Sequence, residues 1–201
     1  MKKIFKKFIC TLLIFSVLAS YPMAAFNYTP EFSDELSRVG IRLEPEDSVG
    51  LDMLSSSGVN TIRYALNWHK FEPSKGVWDT DYIDSRVSLL KNYNFSSMIG
   101  IGVNNQLYSG NSDIRYGVET RANLEAFSDY CLKLGEYLTK NYPQITTFLI
   151  WNEPNSTSFW KDDPNPSSYY NLVKVASIAF KKAIPDCTII AGIAANPSLQ
   201  I

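Results

Sequence analysis

The residues best suited to catalysis lie in the stretch ITTFLIWNEPN, residues 145–155. An apolar run at Phe148–Trp151 predicts a strand that is buried on both faces, as in a parallel sheet. Asn152 and Glu153 follow directly, and Pro154 prevents further strand pairing because it has no backbone donor. Since α/β folds place chemistry at the carboxyl ends of their strands, a carboxylate and an amide there are candidates for a functional site. The alternative is a strand that ends in a polar turn, with a solvated or capping glutamate.

The elements that must position this pair alternate between strand and helix patterns. Apolar runs predict strands at residues 38–43, 59–66, 95–103, 145–151 and 188–194. Apolar residues at helical spacing predict helices around residues 49–54, 83–90, 124–138 and 169–184. No hairpin signal separates the strands, so the pattern predicts a parallel sheet with right-handed helical crossovers.

Two α/β architectures fit this order of elements. Long loops after the second, third and fourth strands favour a (β/α)8 TIM barrel, incomplete here with about five β/α units. The alternative, an open doubly wound sheet, usually carries a glycine-rich phosphate-binding turn in its first unit. The nearest match, residues 100–105, lies in the third unit and has asparagine in place of the third glycine. Nucleotide binding is therefore only a weak alternative.

The first residues are typical of a targeting segment. Four lysines precede an apolar core at residues 8–19, and small residues follow it. This is the layout of a secretory signal peptide, and the core is shorter than the ~20 residues of a membrane span. We expect residues 1–25 to be a signal peptide and residues 26–201 to be part of a secreted, periplasmic or surface-associated domain without a membrane span. An uncleaved anchor is the alternative, and Cys10 lies too early for a lipoprotein.

Composition narrows the class of ligand. Aromatic residues make up 13% of the chain and the formal net charge is −1, which favours carbohydrate over nucleic acid as a partner. His69 is the only histidine, so neither a Ser-His-Asp triad nor a histidine metal site is predicted. It is expected to be a solvated loop residue, and we expect no metal and no cofactor. Cys131, in a helix, and Cys187, at a strand entrance, are predicted to be free, buried thiols.

Motifs in two parts of the chain form a specific combination. W-x-x-F-E-P-x-x-G-x-W-D occupies residues 68–79, with Arg63 upstream of it, and WNEPN occupies residues 151–155. Together they resemble clan A glycoside hydrolases, which are retaining (β/α)8-barrel enzymes, and especially their β-xylosidase and cellulase-like families. The likeness extends over residues 40–195. It implies a secreted O-glycosyl hydrolase that cleaves β-linked polysaccharide or oligosaccharide with two carboxyl groups.

The resemblance also implies roles for individual residues. Glu153, at the end of the fourth strand, would be the general acid and base, and Asn152 would bind the sugar 2-hydroxyl. Arg63 would orient the nucleophilic carboxylate and keep it ionised. That nucleophile belongs to a seventh strand, so we expect this chain to be the amino-terminal part of a longer enzyme and inactive alone. The alternative is a catalytically silent carbohydrate-binding or surface protein of the same fold.

Further loop residues are candidates for substrate contact. Trp160 and Trp68 could stack on sugar rings, with a packing role as the alternative, above all for Trp68. Asn104 follows the third strand, where many clan members place a polar sugar contact. Glu72 is expected to support its loop, with a substrate contact as the alternative.

Overall fold

Five parallel strands form one sheet, and their order in the sheet is their order in the sequence. The computed structural model describes residues 40–42, 48–113, 115–116, 118–161, 163–192 and 194, all within the unit Asp34–Ile201. The expected signal peptide lies outside the described residues. Each neighbouring pair of strands is parallel, so the predicted parallel sheet is confirmed.

Strands and helices alternate along the chain. The strands are β1 Gly40–Arg42, β2 Thr61–Asn67, β3 Ser96–Gly102, β4 Thr147–Ile150 and β5 Thr188–Ala191. The helices are α1 Ser48–Ser56, α2 Trp68–Phe71, α3 Thr80–Val87, α4 Gln106–Ser109, α5 Arg121–Asn141 and α6 Pro166–Ala183, and a 3-10 helix, Ser88–Asn92, continues α3. The short helices α2 and α4 lie in segments predicted as loops, because a single helical turn is too short to show an apolar period.

The strand order distinguishes between the two α/β architectures. A doubly wound sheet reverses its strand order at a switch point, whereas a barrel adds each successive strand on the same side. The sheet β1-β2-β3-β4-β5 contains no reversal. The five strands therefore follow the order of a barrel and not that of a doubly wound sheet.

The two faces of the sheet differ in character. In β2, the side chains of Ile62, Tyr64 and Leu66 are buried in the hydrophobic core under the helices. Arg63 and Ala65 point to the opposite face and are only half-buried. Because side chains alternate along a strand, this second face is the one that carries polar groups toward the carboxyl edge. Burial of each large apolar side chain on the first face contributes about 1.5–3 kcal/mol.

The two longest helices pack closely on the sheet and on each other. Phe148 of β4 stacks on Phe180 of α6 with ring centroids 4.0 Å apart. A Cβ on Gly135 of α5 would lie 2.8 Å from the Cβ of Ala183, so glycine permits this close approach of α5 to α6. Cys131 and Cys187 are free and buried, as predicted.

Polar side chains fix the ends of the helices. Asp79, Thr120 and Asn165 accept backbone N–H groups at the starts of α3, α5 and α6. Asp84 of α3 accepts the hydroxyls of Tyr142 (2.6 Å) and Tyr137 (2.7 Å), which connects α3 to the end of α5. These bonds, with that of Tyr142 the stronger influence, hold the pKa of Asp84 below its ordinary value. None of the described helices is long and apolar enough to cross a membrane.

Candidate active site

The turn after β4 has an unusual backbone conformation. Trp151 and Glu153 have φ values of 66° and 44°, in the left-handed region that residues with a Cβ rarely adopt. Each such residue costs on the order of 1–3 kcal/mol and persists only where its surroundings hold it. Two of them within three residues turn the chain sharply at the carboxyl end of β4. Strain of this kind is concentrated at functional sites in proteins.

Local contacts hold this turn. Trp151 Nε1 donates to Phe159 O at 3.1 Å, and the residue is only 9% exposed. Ser156 N donates to Glu153 O at 3.0 Å, which closes the turn from the other side. The Glu153 side chain is half-buried, neither inside the hydrophobic core nor fully in solvent.

The turn brings two of the predicted residues into direct contact. Arg63 Nη2, on β2, donates to Asn152 Oδ1 at 2.7 Å, and both residues are half-buried. This bond fixes the orientation of the amide by occupying its oxygen. Among the described residues, Asn152 Nδ2 donates to no acceptor.

The charges at this edge of the sheet are unbalanced. Burial lowers the pKa of Arg63, the neighbouring guanidinium of Arg42 lowers it further, and Glu153 acts in the opposite direction. Arg42 on β1 is in register with Arg63, so two guanidinium groups lie on adjacent strands. Glu153 lies within electrostatic range of Arg63, and an arginine keeps its proton at any ordinary pH. Among the residues that the structure describes at this edge, two cations and one carboxylate leave an excess of positive charge that a second carboxylate would relieve.

A cleft of about 150 Å³ opens beside Arg42, Arg63 and Asn152, and Glu153 is not among the residues that line it. It is lined by the carboxyl halves of β1, β2 and β3 and by the turn after β4, including Arg42, Arg63, Asn152 and the ring of Trp151. Amide and guanidinium donors next to an aromatic wall suit a neutral ligand with hydroxyl groups and apolar C–H faces. Within the described part of the chain, no group of three His, Cys, Asp or Glu could hold a metal ion.

The two candidate sugar-stacking tryptophans are both in the core. Trp68 is 1% exposed, and its ring stacks on Tyr108 and Tyr130 with centroids 5.0 and 5.4 Å apart. Trp160 is also 1% exposed and meets the ring of Tyr169 edge-on. A sugar cannot stack on a ring without an exposed face, so the substrate-binding prediction is wrong for both residues in this structure. Their role is to pack the loops onto the helices.

Glu72 supports its loop, as predicted. The carboxylate is buried and accepts three hydrogen bonds, from Trp68 Nε1 (2.7 Å), Gly76 N (2.8 Å) and the Tyr108 hydroxyl (2.6 Å). Its backbone oxygen accepts Asn105 Nδ2 at 2.9 Å. Glu72 therefore joins the loop after β2 to the loop after β3.

Asn104 lines a second cleft, of about 260 Å³, between the loops after β2 and β3. Its Nδ2 group donates to Asn111 O and Asp113 O, so both donor hydrogens hold its own loop. Only its carbonyl oxygen is left for a ligand. His69 lies on the same cleft, half-buried in α2 instead of solvated in a loop, and burial lowers its pKa.

Two features of this edge were missed in the sequence. Arg42 lies in a predicted strand, but only the register of β1 with β2 brings it beside Arg63. Tyr169 fits the apolar face of α6, and nothing in that pattern indicates that its hydroxyl reaches the end of β4.

Solved structures similar to this chain include several glycoside hydrolases. A family 39 glycoside hydrolase from the gut symbiont Bacteroides cellulosilyticus has a TM-score of 0.59 and 25% identity, over 81% of this chain and 33% of its own. An exo-β-1,4-mannosidase from an Opitutaceae bacterium has a TM-score of 0.59 and 17% identity, over 76% and 31% of the two chains. A monomeric β-xylosidase from Caulobacter crescentus has a TM-score of 0.57 and 19% identity, over 75% and 34%. The chain has a glycoside hydrolase fold.

The resemblance to clan A glycoside hydrolases is thus confirmed at the level of structure. This chain spans about a third of the length of the solved structures that it matches. No family model matches it, and no curated protein is similar to it in sequence.

Proposed function

We propose that this chain carries the acid/base half of a retaining glycoside hydrolase site, in a secreted protein that acts on β-linked polysaccharide or oligosaccharide. In this proposal the five strands belong to a (β/α)8 barrel, and the nucleophilic carboxylate lies on a strand outside the five described. The principal support is the contact between Arg63 and Asn152 beside the strained turn that carries Glu153. The excess of positive charge among the described residues at the same edge also supports the proposal, because a second carboxylate placed there would balance that charge.

The chemistry assigns a task to each of these side chains. Retaining enzymes use two carboxyl groups about 5–5.5 Å apart. Glu153 would donate its proton to the leaving glycosidic oxygen while the second carboxylate attacks the anomeric carbon and forms a glycosyl ester. The ionised Glu153 would then take a proton from water, which attacks the same carbon and releases the sugar with its original configuration.

In this reaction Asn152 would act on the sugar, and Arg63 would act on the attacking carboxylate. The N–H groups of Asn152 would donate to the sugar 2-hydroxyl, an interaction that strengthens in the transition state. Arg63 holds Asn152 in place through its Oδ1 atom, and its charge would keep the attacking carboxylate ionised.

An affinity label tests Glu153 without requiring the nucleophile. N-bromoacetyl-β-D-xylopyranosylamine places an electrophilic carbon where the leaving oxygen would lie. The Glu153 carboxylate should attack that carbon, release bromide and form an ester that peptide mass spectrometry locates. Glu153→Gln should abolish the label, and Glu136→Gln, an exposed glutamate paired with Lys133, should leave it unchanged. Labelling of other carboxylates with Glu153 unmodified would refute the assignment.

The role of Asn152 can be separated from a general effect on folding. Asn152→Ala should raise the reagent concentration needed for half-maximal labelling by about tenfold, the equivalent of one lost hydrogen bond of ~1.4 kcal/mol. The 2-deoxy analogue of the reagent lacks the hydroxyl partner, so it should label wild type and Asn152→Ala equally well. If Asn152→Ala weakens labelling by both reagents to the same extent, Asn152 does not contact the 2-hydroxyl.

Hydrolysis itself is measured with the protein that the whole reading frame containing this chain encodes. Glu153→Gln should spare the first step with a dinitrophenyl glycoside, because that leaving group needs no proton, and should slow the second step and the cleavage of oligosaccharides. Equal damage to both steps would argue against an acid/base role. If the unmodified full-length protein binds the sugar but hydrolyses none of it, the protein is a catalytically silent binding protein instead.

A further inference from the structure

One side chain outside the proposed catalytic groups contacts the ends of two strands. The hydroxyl of Tyr169, near the start of α6, donates to Ile150 O at 2.9 Å and accepts a hydrogen bond from Gly192 N. Ile150 is the last residue of β4, and Gly192 directly follows β5. A single hydroxyl therefore joins the carboxyl ends of β4 and β5, one residue before the strained turn begins.

The backbone around this bridge is closely packed. A Cβ on Gly192 would lie 2.9 Å from Pro154 Cδ, 2.9 Å from the Tyr169 hydroxyl oxygen and 3.2 Å from Ile150 O. Pro154 directly follows Glu153, so Gly192 packs closely against the turn that carries the carboxylate. Only a residue without a Cβ fits this position.

The ring of Tyr169 is itself held in place. Trp160, which is fully buried, meets it edge-on at 88° with centroids 6.3 Å apart. Burial also raises the pKa of Tyr169, so its hydroxyl keeps the proton that it donates to Ile150 O. Packing against Trp160 thus fixes the ring of Tyr169, and hydrogen bonds to Gly192 N and Ile150 O fix its hydroxyl.

We propose that Tyr169 is a positioning residue for Glu153, whose hydroxyl bridge between Ile150 and Gly192 keeps the strained turn in the conformation that presents the carboxylate beside Arg63 and Asn152. Left-handed residues relax unless several contacts fix them. Tyr169 supplies the contact at the strand side of the turn, where the carbonyl of Ile150 immediately precedes Trp151. The catalytic meaning of this role rests on the proposed function, whereas the bridge itself can be measured without any sugar.

Tyr169→Phe is the informative change, because it removes one oxygen and leaves the ring packed against Trp160. Its matched control is Tyr142→Phe, which removes a hydroxyl bound to Asp84 at the opposite, amino-terminal end of β4. The first readout is NMR on protein with 13C-labelled glutamate, in which the Glu153 side-chain signals are assigned from their loss in Glu153→Gln. These signals should shift or broaden in Tyr169→Phe and stay unchanged in Tyr142→Phe.

A second readout follows the bridge directly. The amide proton of Gly192 should exchange slowly with solvent in wild type and at least about tenfold faster in Tyr169→Phe, since exchange requires its hydrogen bond to open. Rapid exchange in wild type would show that the bridge is absent and would overturn the proposal even if the variant did not fold.

The third readout is the rate of labelling by the bromoacetyl xylosylamine at saturation. Tyr169→Phe should lower the maximal rate for Glu153 about tenfold while the half-saturating concentration stays the same, because Arg63 still holds Asn152, the proposed sugar contact, through its Oδ1 atom. A purely structural role predicts equal changes in Tyr169→Phe and Tyr142→Phe, and unchanged Glu153 signals in both; that result would refute positioning. If wild type is not labelled at all, the proposed function fails, whereas the NMR result still tests the position of the carboxylate.

Discussion

Replacement of Glu72 by glutamine is expected to destabilise the fold by about 2–4 kcal/mol. Oε2 accepts Trp68 Nε1, and Oε1 accepts both Gly76 N and the Tyr108 hydroxyl. The glutamine oxygen can keep the two bonds of Oε1, but its NH2 group then faces the indole N–H. A buried donor left without an acceptor costs about 1–3 kcal/mol, and the two remaining bonds lose the charge that strengthened them, which adds about 1 kcal/mol. At 1% exposure, water cannot replace the lost acceptor.

Thermal unfolding followed by circular dichroism measures this effect. For a chain of this size, each kcal/mol lowers Tm by about 2–4 °C, so a loss of about 3 kcal/mol corresponds to about 6–12 °C. Glu136→Gln is the control, because that side chain is 50% exposed and its pair with Lys133 contributes at most ~1 kcal/mol. If Glu72→Gln unfolds within 1–2 °C, or about 0.5 kcal/mol, of this control, the buried carboxylate does not anchor the loop.

Two further substitutions, Asp84→Asn and Gly102→Ala, test the electrostatics and the packing of the fold. Hydrogen bonds from tyrosines, led by Tyr142, lower the pKa of Asp84, so its stabilising effect is complete above the unfolded value of about 3.9 and is lost as pH falls through the lower folded value. Asp84→Asn should therefore flatten the decline in the urea midpoint below about pH 5, and an unchanged decline would contradict this account. Gly102→Ala should lower stability by about 1–3 kcal/mol, because the new Cβ would lie 3.2 Å from the backbone atoms Asn67 Cα and Leu66 O, which cannot rotate away as the Asn67 side chain can. Gly100→Ala, whose Cβ would meet its nearest atom at 3.6 Å, is the control in the same denaturation experiment, and an equal loss in both variants would refute the close approach.

The parts of the fold that depend on apolar periodicity could be predicted from the sequence. The apolar run before Trp151 indicated a strand buried on both faces, and all three residues Phe148–Ile150 are fully buried. The meeting of Arg63 with Asn152 was expected from the resemblance to clan A glycoside hydrolases, and it agrees with the rule that parallel strands bring their carboxyl ends together. The positive φ angles of Trp151 and Glu153 could not be predicted in this way, because neither residue is a glycine and the strain depends on contacts made by distant segments.

The high aromatic content has a different meaning from the one that composition suggests. Aromatic rings in long polar loops favoured a carbohydrate surface, yet Trp68 and Trp160 are fully buried, and each packs against a tyrosine whose hydroxyl holds a loop. Tyr108 donates to the buried Glu72, and Tyr169 bridges the ends of β4 and β5. A sheet fixes only the points where its strands end, so loops beyond those points need their own buried donors and acceptors. A ring with a hydroxyl or an indole N–H supplies both apolar burial and a donor, as Trp68, Tyr108 and Tyr169 do in these loops.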